Sequence, residues 1–574
     1  MKKIISIALT LCMVLGLCSF SVAAAPEGTA ITDAAGFAAM DPAGTYYLAN
    51  DITLDASYAQ VFAGTFDGNG KTVTVSAPMF AEIAGATIKN LNVAGAIDGA
   101  GADTAAVATK ASGAAIVLEN IVSEVTITNA AIAGAIVANI AGVPSITVTG
   151  CANKGDITGS GVTAGIIGKA NCDDADGAKS SVALITDCAN YGVITGGNYT
   201  AGIVSAIQYT LNSTVSNCAN YGAINGSHDS GGIVGHTTQA IMKIAYCENF
   251  GAVTVNTKQY AGGMVGYAWG TKQDAYSAEN LDYTNIIEYN VNHAVITSGY
   301  RTGGIVGSFG ADKSRGIWLC QYNINLGDVI NLGQGTKGSH NCAGGIVGYA
   351  YGSGVTTCAY ILNNLNVGNV VSQGASVGTA SYFLGYINSK GISKITGNVG
   401  LGTLTAASGC TIALGWNEGA DCEFLDCSGN SIPAGCTYPL TRELGATDKA
   451  YEVGTADMAT LVSGEFVYNF NQAAGKDVIY MTVNGTDFAP TLIADEEKAV
   501  VKNADGTYGN PVKEPETTEP APETTEPAPE TTEPAPETTE PTETPTTGDS
   551  FVIFAVIAAI SVLGVAVVAK RREN

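Results

Sequence analysis

The sequence predicts an all-β fold, a right-handed parallel β-helix or a close solenoid relative, and three observations carry that prediction. First, a five-residue phrase keeps returning. It reads GGIVG at 231–235, 303–307 and 344–348, and GGMVG at 262–266. Weaker copies stand at 164–168 (AGIIG), 201–205 (AGIVS), 133–138 (AGAIVA), 382–385 (YFLG) and 412–415 (IALG). Their middle positions, 165, 202, 232, 263, 304, 345, 382 and 412, are 30 to 41 residues apart. A unit that recurs with variable insertions marks a stacked repeat array. Second, another phrase keeps step with the first: CANKGDIT at 151, CANYGVIT at 188, CANYGAIN at 218 and CENFGAVT at 247. Its later forms are NVNHAVIT at 290, NINLGDVI at 323 and NLNVGNVV at 364. Third, Thr45 to Trp416 is written in short β-branched runs with D-G and N-G turns and shows no ten-residue helical period.

Each repeat thus supplies at least two short strands, too short to stand alone. Stacked in parallel about 4.8 Å apart, they bond to the coils above and below and close a common core. The Asn of the second phrase (153, 190, 220, 249, 292, 325, 366) suits a turn, since it tolerates the left-handed region and its amide bonds nearby backbone. Stacking predicts that these Asn residues form a ladder. The paired glycines let coils approach without a Cβ clash. Lys169–Ser181 and Trp269–Thr284 read as loops leaving the coil.

GGIVGYA, with the opener GTFDGNGKTV (64–73) and the phrase GATIKNLNV (85–93), resembles the GLUG-repeat proteins of bacterial surfaces over roughly Gly44 to Trp416. The resemblance implies a β-solenoid on a cell surface and, for several relatives, adhesion. It implies no settled enzymatic activity.

Residues 1–24 read as a secretory signal: Lys2 and Lys3, an apolar run from Ile4 to Leu17, then Val22-Ala23-Ala24. The repeat domain is placed at 25–430. Residues 431–510 form a C-terminal cap segment, in which S-G-E at 463–465 opens a helical turn before strands; a terminal unit is needed to cover exposed strand edges. Residues 511–543 are a Pro/Thr/Glu stalk with ten glutamates between Glu514 and Glu543, which cannot bury a core and extends. Thr544-Pro545-Thr546-Thr547-Gly548, a nineteen-residue apolar stretch (Phe551 to Ala569) and Lys570-Arg571-Arg572 follow. The stretch is long enough for a membrane-spanning helix. This order resembles a sortase sorting signal of Gram-positive bacteria. Pro545, Thr547 and Gly548 match the usual L-P-x-T-G, and Thr544 stands where Leu is usual. The resemblance implies cleavage between Thr547 and Gly548 and attachment to peptidoglycan. The alternative is a plain C-terminal membrane anchor.

A net charge of −25 argues against nucleic acid as a partner. No C-x-x-C pair suggests zinc. Cys151, Cys188, Cys218 and Cys247 follow the repeat and read as stacked buried thiols, while Cys422, Cys427 and Cys436 are better disulfide candidates. Parallel β-helices include polysaccharide lyases and hydrolases. Only Arg301, Arg315 and Arg442 lie between leader and tail, too few for a lyase site. Asp173-Asp174 lacks companion His and Lys/Arg groups. His228 and His340 are three repeats apart, and neighbours in His228-Asp229-Ser230 do not face one another. No catalytic residue, metal or cofactor is therefore assigned. What projects after the GG phrase is aromatic: Tyr267, Tyr349, Tyr386 and Trp416, with Trp269 and Tyr351 two further on. Aligned in a solenoid, these rings suit sugars or a partner protein; the plainer reading is that they cover turns. The expected function is a secreted, wall-anchored scaffold binding extracellular glycans or host surface proteins. The alternatives are a polysaccharide-active enzyme and a passive wall-coating spacer.

Overall fold

The computed structural model describes residues 26–510, apart from 172–181, 211, 271–284, 313–317, 338, 354–356, 376–377, 390–391, 418–423, 444–450, 477, 482 and 493–499. The expected loops at Lys169–Ser181 and Trp269–Thr284 fall largely outside these residues, as do Cys422, Asp173-Asp174, Arg315, the signal, the stalk and Thr544 to Gly548.

Short parallel strands stack into a β-solenoid. One coil runs Ser213–Ser216, Ala219–Asn220, Ile224–Gly226, Ser230–Gly231 and Val234–Ala240. Each strand pairs in parallel with its counterpart one coil on, as Ala219 with Glu248 and Val234 with Val265. Along one wall, thirteen such strands follow one another from Tyr58–Phe62 to Thr441–Glu443. Parallel pairing continues to Ala456, past the boundary expected at residue 430. One of the expected middle positions, 412, also needs adjustment. Ile412 pairs with Ser381, so the last repeat's middle position is Ala413.

Apolar residues from every wall meet in one continuous core. Its N-terminal end is closed by α1 (Ala34–Ala38), capped by Asp33, whose carboxylate accepts from the Gly36 N–H at 2.8 Å. Phe37 plugs the open coil, 5.4 to 6.0 Å from the rings of Phe80, Phe66 and Tyr58.

The asparagine ladder is present. Asn153, Asn190, Asn220, Asn249, Asn292 and Asn325 each donate Nδ2 to the next Asn Oδ1, ending at Asn366, over 2.7–2.8 Å. Most also donate to the carbonyl two residues on, as Asn220 to Gly222 at 2.9 Å. All seven are fully buried. Left-handed backbone, however, sits three residues earlier. A column of positive φ runs Asn90, Asn120, Gly150, Asp187, Asn217, Tyr246, Tyr289, Tyr322, Asn363, Gly397 and Gly429. The Asn side chains hold the turn by bonding across it, and a different residue makes the bend.

Cys151, Cys188, Cys218 and Cys247 are buried thiols, as the sequence suggests. Burial raises the Cys151 and Cys218 thiols well above the ordinary range. From the next coil the same column holds Asn290, Asn323, Asn364, Asn398 and Asn430, a second amide ladder at 2.9–3.0 Å. Cys247 N–H donates to Asn290 Oδ1 at 2.9 Å where one column becomes the other. Cys436, expected as a disulfide candidate, is a free thiol.

The C-terminal segment does not lie across the end of the array. It comprises α2 (Met458–Val462), α3 (Glu465–Ala474) and short antiparallel pairs such as Ile479–Tyr480 with Thr491–Leu492. Ser463-Gly464-Glu465 opens α3 as expected, with Gly464 at φ 88°. The segment packs Leu461, Val467, Phe470 and Ile479 on outward apolar residues Val291, Ile324 and Leu365 of the solenoid flank. Tyr246, Tyr289 and Tyr322 stack there at 5.4 and 5.1 Å, and Phe470 meets the edges of the last two at 84° and 87°. Lys476 Nζ sits 3.6 Å from the Tyr246 ring centre, and Glu248 accepts from Leu492 N–H at 3.2 Å. The flank offers apolar area that solvent would penalise, which outweighs any need to shield the last strands.

Replacing Asn220 by Ala strands the Asn190 amide, the Asn249 oxygen and the Gly222 carbonyl inside the core. Chemical denaturation is expected to show a loss of about 2–4 kcal/mol, against under about 0.5 kcal/mol for exposed Asn225.

Candidate ligand-binding face

The GG phrase turns the chain from a two-residue strand into a longer outward strand. In the coil of Tyr267, Val265 and Ala268 both point into the core, and the bend at Gly266 between them turns Tyr267 outward. The residue two positions before the phrase then meets the residue just after it, seven positions on. Asp229 Oδ2 lies 2.8 Å from His236 Nδ1, Tyr260 and Tyr267 have centroids 5.6 Å apart, and Arg301 Nη1 reaches Ser308 Oγ at 3.5 Å. Register stacks these pairs: His236, Tyr267, Ser308, Tyr349 and Tyr386 form one column, and Trp269, Gly310, Tyr351 and Asn388 another.

The expected alignment is therefore real, but the expected accessibility is not uniform. Tyr349 and Tyr386 are only 2% and 3% exposed. Tyr349, Tyr386 and Trp416 stack at 6.0 and 5.7 Å, nearly parallel, with Cys342 beside them. In a register column each ring spends its faces on its neighbours, so Tyr349 and Tyr386 are corrected to packing residues. Tyr267, Trp269 and Trp416 are half-buried, and Tyr351 is 38% exposed. A second aromatic ladder was passed over: Tyr191, Tyr221, Phe250 and His293 stack at 4.8, 4.9 and 4.2 Å. Its signal was present, since each of these residues directly follows the Asn of the second phrase.

Two charged groups sit on this face. Asp229 is buried between two imidazoles, 3.1 Å from His228 Nδ1 and 2.8 Å from His236 Nδ1. Desolvation pushes its carboxyl up, but the hydrogen bond from His236 and the pairing with both imidazoles outweigh that and hold it below the usual range. The bond to Asp229 raises His228 above the ordinary imidazole value, against partial burial. His236 Nε2 meets Thr238 Oγ1 at 2.7 Å, and Tyr199 stacks on the ring at 4.1 Å. This carboxylate–imidazole–hydroxyl chain is the arrangement that activates a hydroxyl in hydrolases. Sequence reading rejected His228-Asp229-Ser230 as a triad, and Ser230 indeed turns its hydroxyl to the His228 carbonyl at 3.0 Å. It missed His236, seven residues along, which the phrase folds back onto Asp229.

Arg301 is the second group. Its guanidinium lies 3.5 Å from the Tyr349 ring centre and 4.7 Å from that of Tyr260, and Nε donates to the Ser339 carbonyl at 3.1 Å. Among the described residues no carboxylate pairs with it. His340, stacked on Tyr300 at 4.5 Å, is held below its ordinary value by desolvation, Arg301 and Lys337. The arrangement presents a fixed cation between aromatic walls, a geometry that receives carboxylates and other planar anions. No group of three or more His, Cys, Asp or Glu among the described residues is arranged to hold a metal ion.

No family model matches the chain. No curated protein matches it either. Among solved structures, an IgA1 protease is similar at 14% identity with a TM-score of 0.28. The match covers 50% of this chain and 21% of that one, so the chain spans about a fifth of its length. A likeness this slight carries no argument about activity.

Asp229→Asn removes the negative charge shared by both histidines. A raised His228 value means that its pairing stabilises the fold in acid and fades as pH rises through that value. The wild type is expected to lose thermal stability as pH rises above about 6.5, and the variant to lose that slope while the His228 NMR titration moves down towards its ordinary value.

Proposed function

We propose that this chain is a non-catalytic surface scaffold, secreted and attached to the wall of a Gram-positive bacterium, that presents its solenoid to extracellular glycans or host surface proteins. The single observation carrying the binding role is Arg301, a guanidinium held between Tyr260 and Tyr349 with no carboxylate partner among the described residues, in a chain of net charge −25. Half-buried Trp269 and exposed Tyr351 flank the same face and add apolar contact. Acidic sugars are therefore the favoured ligands within this reading. The right-handed coil, the extended stalk at 511–543 and the membrane-spanning helix at 551–569 belong to the same proposal. The repeat phrases and the order of segments after Asn510 support them.

A second reading has one observation behind it. The Asp229–His236–Thr238 chain suits hydrolysis of a polysaccharide, but Tyr199 covers one face of the imidazole and His236 is only 6% exposed.

On a glycan array the secreted chain is expected to bind uronate- or sialate-bearing glycans, with signal reduced about tenfold or more in Arg301→Gln, equivalent to about 1.4 kcal/mol. Neutral-only binding, or an unaffected Arg301→Gln variant, overturns the acidic-ligand reading; new reducing ends in the wells that vanish in Thr238→Val favour the enzyme. For attachment, Thr547→Ala with Gly548→Ala is expected to move the protein from the wall fraction to membrane or medium, and unchanged retention in peptidoglycan overturns sortase anchoring.

A further inference from the structure

The tyrosine ladder on the flank stops abruptly, and a cleft opens where it stops. Tyr246, Tyr289 and Tyr322 occupy three successive positions of the left-handed column, and the next two are Asn363 and Gly397. Tyr289 covers one face of Tyr322 at 5.1 Å. The other face looks along the column towards a short side chain and then none at all. The C-terminal segment does not fill the gap. Phe470 meets Tyr322 edge-on at 5.9 Å and leaves a cleft of about 500 Å³ lined by Tyr322, Asn363, Gly397, Glu465, Asn469 and Phe470, among others. That volume lies in the range of small-ligand sites.

The polar groups around this ring face are unspent. Among the described residues, the side-chain amides of half-buried Asn363 and exposed Asn469 make no hydrogen bond and are free to meet a ligand. Glu465 has only a long contact, 3.4 Å from the Tyr508 hydroxyl. An open aromatic face ringed by two amides and a carboxylate fits a ligand with one apolar face and several hydroxyls around its rim. An aromatic side chain alone would cover Tyr322 but leave the amides and the carboxylate without partners. The carboxylate disfavours an acidic sugar.

We propose that the cleft between α3 and the end of the tyrosine ladder binds a neutral pyranose unit of a glycan. The sugar stacks on Tyr322, Asn363 and Asn469 donate to its hydroxyls, and Glu465 accepts from one. The site is separate from the Arg301 face in position and in ligand charge.

The test is calorimetric titration of the full chain with maltotriose, cellotriose, chitotriose and galactobiose, each to millimolar concentration. At least one is expected to bind saturably with a Kd at or below about 1 mM. Asn469→Ala is expected to weaken that binding about tenfold without moving the melting temperature, because Asn469 is exposed. Tyr322→Ala is expected to abolish it, and Arg301→Gln to leave it unchanged. Absence of saturable heat with all four probes overturns the proposal, as does binding indifferent to both cleft variants. Saturable binding of N-acetyltryptophanamide, lost in Tyr322→Ala but kept in Asn469→Ala, overturns it in favour of a peptide site. A failure here leaves the Arg301 reading standing, since the two sites respond to different variants.

Discussion

Parallel in-register stacking sets the terms for this molecule, because it places every side chain about one strand spacing above its own counterpart. A residue is admitted to a column only if it can live beside itself. Asparagine can, since its amide is both donor and acceptor, and each link of the ladder satisfies one half of two side chains. Aromatic rings can, by stacking. Thiols can, as small apolar bodies. Charges cannot, and they are scarce along the columns; where Asp229 is buried, it is bracketed by histidines.

The paired glycines follow from the ladder. A Cβ at the second glycine of the phrase would strike the ladder Asn one coil on, as Gly232 against Asn249 and Gly304 against Asn325. The exchange at Tyr382 fits this, although Ala135 carries a Cβ at the equivalent position opposite Asn153. In that exchange the glycine of the phrase becomes Tyr382, and the next ladder position becomes Gly400, with the tyrosine ring lying over it. Two positions far apart in sequence thus trade volume.

Much of this was legible because repetition turns one local signal into many. The coil, the ladder on Asn153 to Asn366 and the alignment of the aromatic positions all follow from phrases that recur in step. What was not legible depends on contacts across different periods. Tyr349 and Tyr386 carry the same letters as an exposed stripe, and only the ring-on-ring spacing shows them to be buried. His236 lies across a bend from Asp229, and no periodicity links them. The flank position of residues 457–510 depends on Val291, Ile324 and Leu365 being outward-facing, which requires knowing on which side of each short strand a residue falls. The switch from Cys247 to Asn290 in one column was hidden by reading the cysteines as a set of their own.

The side-on seat of the C-terminal segment has a mechanical consequence. Asn510 is the last residue of that segment, and the chain continues from there. A pull on the chain beyond it is met first by the Phe470–Tyr289–Tyr322 contacts and the Glu248 hydrogen bonds, spread over several coils, before it reaches Ala456 and the final strands. Contacts spread over several coils share a load, whereas an end coil pulled directly would peel one strand at a time. The flank seat therefore works as a strain relief, and tension must dislodge it before the solenoid can unravel from its end.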